Sequence, residues 1–282
     1  MNRPHHIDRR TALATITAML TGAGCSTTPK PLGDAELPRL RQARFVLLGE
    51  VHDNASQHLM RAALLSEILA DGRPSCVAFE QMDRAENAAI AAAPRDAESI
   101  ATAGKLDRRG WQWPLHRPLI DAALGASARI AGGNLRTDEV RAIVRGGTTA
   151  LPADLRNALA DQGWGKDQQA AMEREIDDGH CHALPSSQWP AMALGQRARD
   201  AALALSLLDA ATGDGRAVLI AGNGHVRRDL GVPFYLRAAG VPAAQIVSVG
   251  YVETAENAAP YDIVRVTGGV AGRPDPCAAF GA

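Results

Sequence analysis

The sequence predicts an α/β fold of three layers, α/β/α, with a mainly parallel sheet and an inserted helical subdomain. Two observations lead to this prediction. Short apolar runs typical of buried strands alternate along the chain with longer stretches typical of helices. Several of these runs end in Gly or acidic clusters, as expected where loops leave the carboxyl edge of a parallel sheet. With 282 residues, 46% of them hydrophobic, the chain can form one large domain.

The first predicted unit is a strand ending in ionisable side chains. The apolar run Phe45 to Leu48 predicts a buried strand, and Gly49 permits a tight exit. The polar groups that follow are Glu50, His52, Asp53, Asn54 and His58. Asn54 is placed to cap a helix from Ser56 to about Ala70.

The second unit repeats this arrangement. Asp71 to Pro74 ends the helix, and the run Cys76 to Phe79 predicts a strand that is followed by Glu80. Two strands joined by one helix read as a βαβ unit with parallel strands, whose carboxyl ends share one edge. We therefore expect Glu50, His52 and Glu80 to face one another.

The next segment combines a helical stretch, Ala85 to Ile100, with a loop that carries Trp111 and Trp113. The two tryptophans have two interpretations, a hydrophobic plug over the sheet or a platform beside a flat ligand. A helix from Leu115 to Ala126 is expected next. A third strand, Arg129 to Ala131, then exits toward Asn134, and the sequence predicts that Asn134 joins the same edge.

The pattern changes between about residues 137 and 190, where short helical pieces are broken by Gly and Pro. This change predicts an inserted helical subdomain or lid. It contains the run Gly179-His180-Cys181-His182, whose spacing fits no standard zinc pattern. No metal site is predicted here.

The second half begins with a long helix, Pro190 to Ala211, that carries Arg197 and Asp200 at a three-residue spacing. The pair reads as a surface ion pair, or Arg197 as an anion clamp if the helix borders the ligand edge. A strand from Ala217 to Ala221 then ends in Gly222-Asn223-Gly224-His225, and His225 is expected to start a helix with two arginines in its first turn. Two further strands, about residues 245–251 and 261–266, complete the sheet.

The first 25 residues are typical of an export signal and not of folded structure. Arg9 and Arg10 precede an apolar run too short to span a bilayer, and Cys25 follows small residues as at a lipoprotein cleavage site. Both the twin-arginine and the general secretory route remain open. The predicted organisation is a signal over residues 1–25 with Cys25 lipidated, a tether over 26–40 and an α/β domain over 41–282.

Cysteine usage has two interpretations. With Cys25 lipidated, three cysteines remain, and a Cys181 to Cys277 disulfide would attach the C-terminal tail to the central segment. The alternative is three inert thiols, with Cys76 in a buried strand. The formal net charge of −1 and the low aromatic content argue against nucleic-acid binding.

The polar strand ends together offer two histidines and two carboxylates, Glu50, His52, Glu80 and His225. Such a set is suited to general acid/base catalysis or to holding one metal ion. No Gly-x-Ser-x-Gly motif is present, so a serine nucleophile is not indicated.

The chain resembles the ChaN family of haem-binding lipoproteins, which belongs to a larger group with the erythromycin esterases and the Tiki/TraB proteins. The resemblance is carried by LLGEVHDNASQH at Leu47 to His58, AFEQM at Ala78 to Met82, GHCHALP at Gly179 to Pro185, QRARDAALA at Gln196 to Ala204, and AGNGHVRRDLGVPFYL at Ala221 to Leu236. One departure is Gln57-His58, where the family often has paired histidines.

This resemblance implies a lipid-anchored outer-membrane protein facing the periplasm, with haem in a pocket that a second subunit completes. It matches Glu50, His52, Glu80 and His225 to the polar pocket shared with the esterase branch. The resemblance does not identify the iron ligand, and ligand chemistry leaves Tyr235, His116 and His180 as candidates. A bound haem would have Trp111 or Trp113 against the porphyrin and Arg197 or Arg227 near the propionates, and Asn223 is a further candidate for the haem site.

Two functions remain open at this point, beside a third interpretation in which the protein is an envelope protein whose polar cluster is only structural. One is a haem-binding envelope lipoprotein in haem or iron uptake, a possible homodimer attached to the membrane. The other is a hydrolase in which His52 or His225 activates water while Glu50 and Glu80 orient the histidines or bind metal.

Overall fold

The computed structural model describes residues 33–160 and 163–280. The strands are β1 (Phe45–Leu48), β2 (Ser75–Asp83), β3 (Arg129–Asn134), β4 (Arg216–Ile220), β5 (Ile246–Val252) and β6 (Ile263–Val266). They form one six-stranded sheet in the order β3-β2-β4-β1-β5-β6, and every pairing is parallel. The predicted fold class is confirmed.

Helices cover both faces of this sheet. They are α1 (Glu36–Gln42), α2 (Ala55–Leu69), α3 (Asn87–Ala92), α4 (Ala97–Ala103), α5 (Arg117–Gly125), α6 (Thr137–Gly146), α7 (Ala153–Leu159), α8 (Lys166–Gly179), α9 (Trp189–Ala210), α10 (Asn223–Val226) and α11 (Val232–Ala238). Among the described residues, no helix combines the length and apolarity needed to cross a bilayer.

The strands are apolar on both sides because each side packs on a helical layer. Val46 and Leu48 of β1 belong to the core that contains α1, α2, α4 and α5. Phe45 and Leu47 point the other way, into the core formed with α6, α7, α9 and α11. Strands buried on both faces therefore appear in the sequence as continuous apolar runs, whereas half-exposed strands alternate apolar and polar residues.

The strand order brings three polar strand ends together. β4 lies between β1 and β2, with Ile220 opposite both Leu48 and Phe79. The residues just beyond these positions therefore emerge side by side at the carboxyl edge, where parallel sheets bind ligands. Glu50, Glu80 and the β4 exit that leads to His225 all lie there.

Asn54 caps α2 as expected, because its side chain accepts a hydrogen bond from the Gln57 backbone N–H at 3.3 Å.

The prediction of one continuous helix over residues 85–100 is wrong, because this segment forms two helices, α3 and α4. The break falls at Ala93 and Pro94, where extended backbone ends α3 before Asp96 caps α4. Strand β2 also continues through Glu80 to Asp83, so Glu80 lies within the strand.

The expectation that His225 starts a helix containing Arg227 and Arg228 is wrong. His225 lies inside the single turn α10, and Arg227 is already extended, with φ −63° and ψ 136°. Its guanidinium pairs with Asp229 and Glu175, while the Arg228 N–H donates to the Pro260 carbonyl oxygen. The contacts with Glu175 and Pro260, which belong to other parts of the fold, hold this segment away from helical backbone.

Between β3 and α9 the chain forms α6, α7 and α8, which all contact α9. The division into an inserted subdomain stays a prediction. The predicted export signal, Cys25 and residues 26–32 of the predicted tether lie outside the described residues. The described end of the tether is not extended throughout, because α1 begins there at Glu36.

Candidate functional site

A cleft of about 590 Å³ opens at the carboxyl edge of the sheet. It is built from the loop after β1, the end of β2, the exit of β4, one face of α9 and the loop before α5. The lining residues are Glu50, Val51, His52, Glu80, Trp111, Gln196, Arg199, Gly222, Asn223, Gly224 and His225. The structure thus brings together Glu50, His52, Glu80 and His225, the two carboxylates and two histidines predicted at this edge.

Glu50 is the centre of one half of the cleft. Its buried carboxylate lies 2.9 Å from His52 Nδ1 and 3.2 Å from His116 Nε2, and it contacts the guanidinium of Arg61. Arg61 is completely buried on α2 and also donates to the Leu48 carbonyl oxygen at 3.0 Å. Burial lowers the pKa of Arg61 to about 9, which leaves it charged at neutral pH as the counter-ion of Glu50.

His52 is the exposed member of this half. Its side chain is 49% exposed, and its ring meets the ring of Trp111 edge-on at 4.7 Å. A Cβ at Gly222 would come within 3.0 Å of its Nε2, so the absence of a side chain there makes room for the ring. Burial lowers the pKa of His52, which keeps the imidazole neutral at pH 7. With Nδ1 donating to Glu50, Nε2 carries the lone pair that a general base needs.

His58 and His116 lie behind His52 in the protein interior. His58 Nε2 donates to the His52 carbonyl oxygen at 2.9 Å, and its Nδ1 lies 3.0 Å from the Arg61 guanidinium. His116 is fully buried, and burial together with the neighbouring His58 and Arg61 groups lowers its pKa to about 2. Both rings are therefore neutral parts of the core.

Glu50, His58 and His116 have their ligand-type atoms close enough to hold a metal ion. The Arg61 guanidinium, however, contacts both Glu50 and His58 Nδ1, and so occupies the position of the cation. This arrangement does not fit a metal ion. A second group of this kind, Asp177, Asp178 and His182, lies on the surface at the C-terminal end of α8.

The other half of the cleft is an ion triad centred on His225. Its Nδ1 lies 2.6 Å from Asp200 Oδ1, and its Nε2 lies 3.2 Å from Glu80 Oε1. Glu80 also accepts the Gly222 N–H at 2.7 Å. All three side chains are buried.

The triad shifts the pKa of each member. Burial would lower the pKa of His225, but the charges of Glu80 and Asp200 outweigh it and raise the pKa to about 10. Burial would raise the pKa of Glu80, and the charge of His225 reverses this and lowers it. For Asp200 burial prevails and raises the pKa to about 6. His225 is therefore an imidazolium at neutral pH and has no lone pair for base catalysis.

The interpretation of Arg197 and Asp200 as a surface ion pair is wrong. Asp200 is buried and pairs with His225, while the Arg197 guanidinium lies over the Trp164 ring at 4.3 Å. Sequence reasoning also missed Arg61 and the contact between His116 and Glu50. A lone arginine within the apolar face of α2 was the available signal for Arg61, because such a charge needs a buried partner.

The residues expected to bind haem are spread over several places. Tyr235 is buried, with its hydroxyl 3.3 Å from Arg197 Nε, and His116 lies behind the cleft. His180 follows α8 and is partly exposed, with Nδ1 2.7 Å from the Ile176 carbonyl oxygen. Trp113 packs against the core with Arg108 over its ring. Asn223 joins two strand ends. Its backbone N–H donates to the Glu50 carbonyl oxygen, and its side-chain amide donates to the Tyr251 carbonyl oxygen.

This fold and cleft define a class of three-layer α/β proteins in which glutamate and histidine side chains line a cleft at the carboxyl edge of a parallel sheet. A family model described as haem-binding uptake, Tiki superfamily, ChaN matches residues 37–236. The chain belongs to this ChaN family, as its sequence motifs indicate.

Solved structures with related folds include a ChaN protein of Campylobacter jejuni described with cofacial haem binding. It has a TM-score of 0.67 and 18% sequence identity, over 85% of this chain and 94% of that one. An erythromycin esterase in its open conformation gives a TM-score of 0.41 at 14% identity, over 85% and 81% of the two chains. A type III effector gives 0.43 at 13% identity, over 86% and 95%. The sequence comparison with curated proteins found no match.

Proposed function

We propose that the protein binds haem, with His180 as the iron ligand, and that it serves haem or iron uptake in the cell envelope. Membership of the ChaN family supports haem as the cofactor. The observation that carries the choice of ligand is the hydrogen bond of the His180 ring. His180 Nδ1 lies 2.7 Å from the Ile176 carbonyl oxygen, which can only accept, so the proton is on Nδ1.

This tautomer suits an iron ligand. A metal-binding histidine usually donates its second ring N–H to a carbonyl or carboxylate, which fixes the ring and makes the other nitrogen more basic. In His180 the lone pair is therefore on Nε2, on a side chain that is partly exposed. The other two candidates are less accessible. His116 is fully buried and Tyr235 is 3% exposed, so either would have to leave the core to reach iron.

Arg197 is the better candidate for a propionate. Its guanidinium contacts Trp164 and the Tyr235 hydroxyl, and within the described part of the chain no carboxylate pairs with it. Arg227, by contrast, already pairs with Glu175 and Asp229. Trp111 and Trp113 remain proposals for the porphyrin face, and of the two only Trp111 lines the cleft.

A haem bound at a surface histidine leaves one porphyrin face in water. We propose that a second copy of the chain covers this face, in keeping with the cofacial haems described for the Campylobacter jejuni protein. Apolar burial of a porphyrin between two copies would stabilise such a homodimer.

The envelope location, with Cys25 as a lipid anchor facing the periplasm, is part of the same proposal. The Cys181–Cys277 disulfide supports it, because disulfides persist in oxidising compartments.

The test is an absorbance titration of the purified protein with haem, repeated for His180→Ala, His116→Ala and Tyr235→Phe. We expect a saturable Soret shift that is lost only in His180→Ala. His182→Ala is the matched control, since His182 is a neighbouring exposed histidine whose Nδ1 bonds Asp177. A wild-type spectrum like that of an unrelated protein mixed with haem would contradict haem binding. Loss of the Soret shift in His116→Ala or Tyr235→Phe instead would assign the iron ligand to the residue changed in that variant.

A hydrolase is the second candidate, and the Glu50–His52 pair supports it. His52 is neutral, oriented by Glu50 at 2.9 Å and half-exposed in the cleft, as a general base for water would be. In this alternative His225 contributes positive charge and not base catalysis. A screen of ester substrates tests it, with His52→Ala expected to abolish any activity and His182→Ala expected to leave it unchanged.

A further inference from the structure

The chain after β6 is held against the cleft loop along a segment here named the C-terminal strap, residues Thr267–Cys277. Arg273 makes two hydrogen bonds to the Asp53 carboxylate, at 2.7 and 2.6 Å, and pairs with Glu253 at 2.6 Å. Nearer β6, Gln57 donates to the Thr267 hydroxyl at 2.8 Å and Asn54 donates to the Gly268 carbonyl oxygen at 2.9 Å. The strap therefore lies on the loop that immediately follows His52.

The far end of the strap is covalently joined to the residue next to His180. Cys277 forms a disulfide with Cys181, with 5.5 Å between the two Cα atoms, across 96 residues of sequence. His180 and His182 flank Cys181 directly. The ligand segment is thus attached through the strap to a second, distant part of the fold.

The backbone at this attachment is strained. Cys181 has φ 55° and His182 has φ 57°, so two consecutive residues with side chains adopt the left-handed conformation. This conformation is unfavourable for residues other than glycine and persists only where the surroundings enforce it. Local hydrogen bonds contribute, with the Cys181 and His182 N–H groups donating to Asp178 and Asp177 at 3.0 Å each. The disulfide is the covalent restraint on the same residues.

We infer that the Cys181–Cys277 disulfide positions His180 for iron, so that haem affinity depends on the redox state of this cysteine pair. The inference rests on the proposed role of His180 as haem ligand. With the disulfide closed, the turn after α8 is fixed and the ring is held in one orientation before haem arrives. A dithiol reductant opens the bond by thiol–disulfide exchange, leaving Cys181 and Cys277 as two thiols and departing as its own disulfide. The turn can then relax toward right-handed backbone, and haem binding must restore the bound geometry.

The expected cost is an increase of about tenfold in the haem dissociation constant, equivalent to about 1.4 kcal/mol. Because the disulfide acts through His180, the spectrum should change as well. A ligand that is no longer fixed binds a smaller fraction of the iron, which broadens and weakens the Soret band of the complex.

The experiment compares haem titrations of the wild-type protein, Cys181→Ser/Cys277→Ser and Arg273→Ala. Arg273→Ala is the matched control, because it frees the strap from Asp53 and Glu253 but keeps the disulfide. We expect the double variant to lose about tenfold in affinity and to show the altered Soret band, while Arg273→Ala stays within about twofold of wild type. Circular dichroism and the thermal midpoint establish that each protein is folded at the titration temperature.

If the double variant does not fold, wild-type protein reduced with a phosphine, alkylated at the two thiols and dialysed takes its place. Equal haem affinity and an equal Soret band with and without the Cys181–Cys277 disulfide would overturn the inference while leaving haem binding intact. Absence of saturable binding in the wild-type protein would instead overturn the proposed function, so the two failures are distinguishable.

Discussion

His225 is held between two carboxylates, and this single residue sets the charge of one half of the cleft. Glu80 and Asp200 raise its pKa to about 10 against the effect of burial. The ordinary histidine pKa is about 6.5, so the folded state holds this proton more tightly than the unfolded state. The stability that the proton contributes is complete below about pH 6.5 and is lost as pH rises through about 10.

The prediction at this residue is that His225 remains an imidazolium throughout the neutral range. In nuclear magnetic resonance spectra of the histidine side chains, one ring should keep its protonated signals up to about pH 9, and His225→Asn should remove that ring's signals. Titration of every histidine ring near the ordinary value would contradict the triad. The variant leaves Glu80 and Asp200 facing each other without a cation, and we expect it to lose roughly 3–5 kcal/mol of stability.

At the scale of the element, the exit of β1 depends on close packing against the exit of β4. Gly49 donates its N–H to the Val249 carbonyl oxygen at 2.8 Å. A Cβ at Gly49 would lie 2.4 Å from Asn223 Oδ1 and 2.6 Å from Val226 Cγ2. Gly224, on the same turn as Asn223, has open space around it, with nothing within 4 Å of a Cβ and no positive φ.

We therefore predict that Gly49→Ala lowers the free energy of unfolding by about 2–3 kcal/mol, because α10 must move away from β1. Gly224→Ala should stay within about 0.5 kcal/mol of wild type. Urea unfolding of the two variants measures both values. Equal stabilities for Gly49→Ala and Gly224→Ala would show that this contact does not fix the cleft.

The apolar runs at β1, β2 and β4 were sufficient to predict three parallel strands and their shared polar edge, because fully buried strands leave an unbroken apolar pattern. Sequence could not show that β4 lies between β1 and β2, since strand order depends on tertiary packing. For the same reason the sequence pairs Asp200 with Arg197, its neighbour on the helix, whereas in the structure its partner is His225 on another element. Arg61 and His116 reach Glu50 only after α2 and α5 pack on the same face of the sheet.

At the scale of the whole molecule, the proposed haem site at His180 would favour association of two copies. We predict that haem converts the protein to a dimer with one haem per chain, and that His180→Ala stays monomeric at the same haem concentration. Mass measurement by light scattering after size exclusion, with haem and without it, checks this. A haem-loaded monomer at micromolar concentration would contradict the proposed cover by a second copy.

Haem ligation by His180 is tested most directly by chemical rescue. The measurement is the Soret spectrum of ferric haem with His180→Gly, in the absence and presence of added imidazole, with His182→Gly treated in the same way. If His180 binds the iron, His180→Gly lacks the wild-type band and imidazole restores it, while His182→Gly matches wild type without imidazole. A wild-type spectrum from His180→Gly alone would contradict ligation by His180.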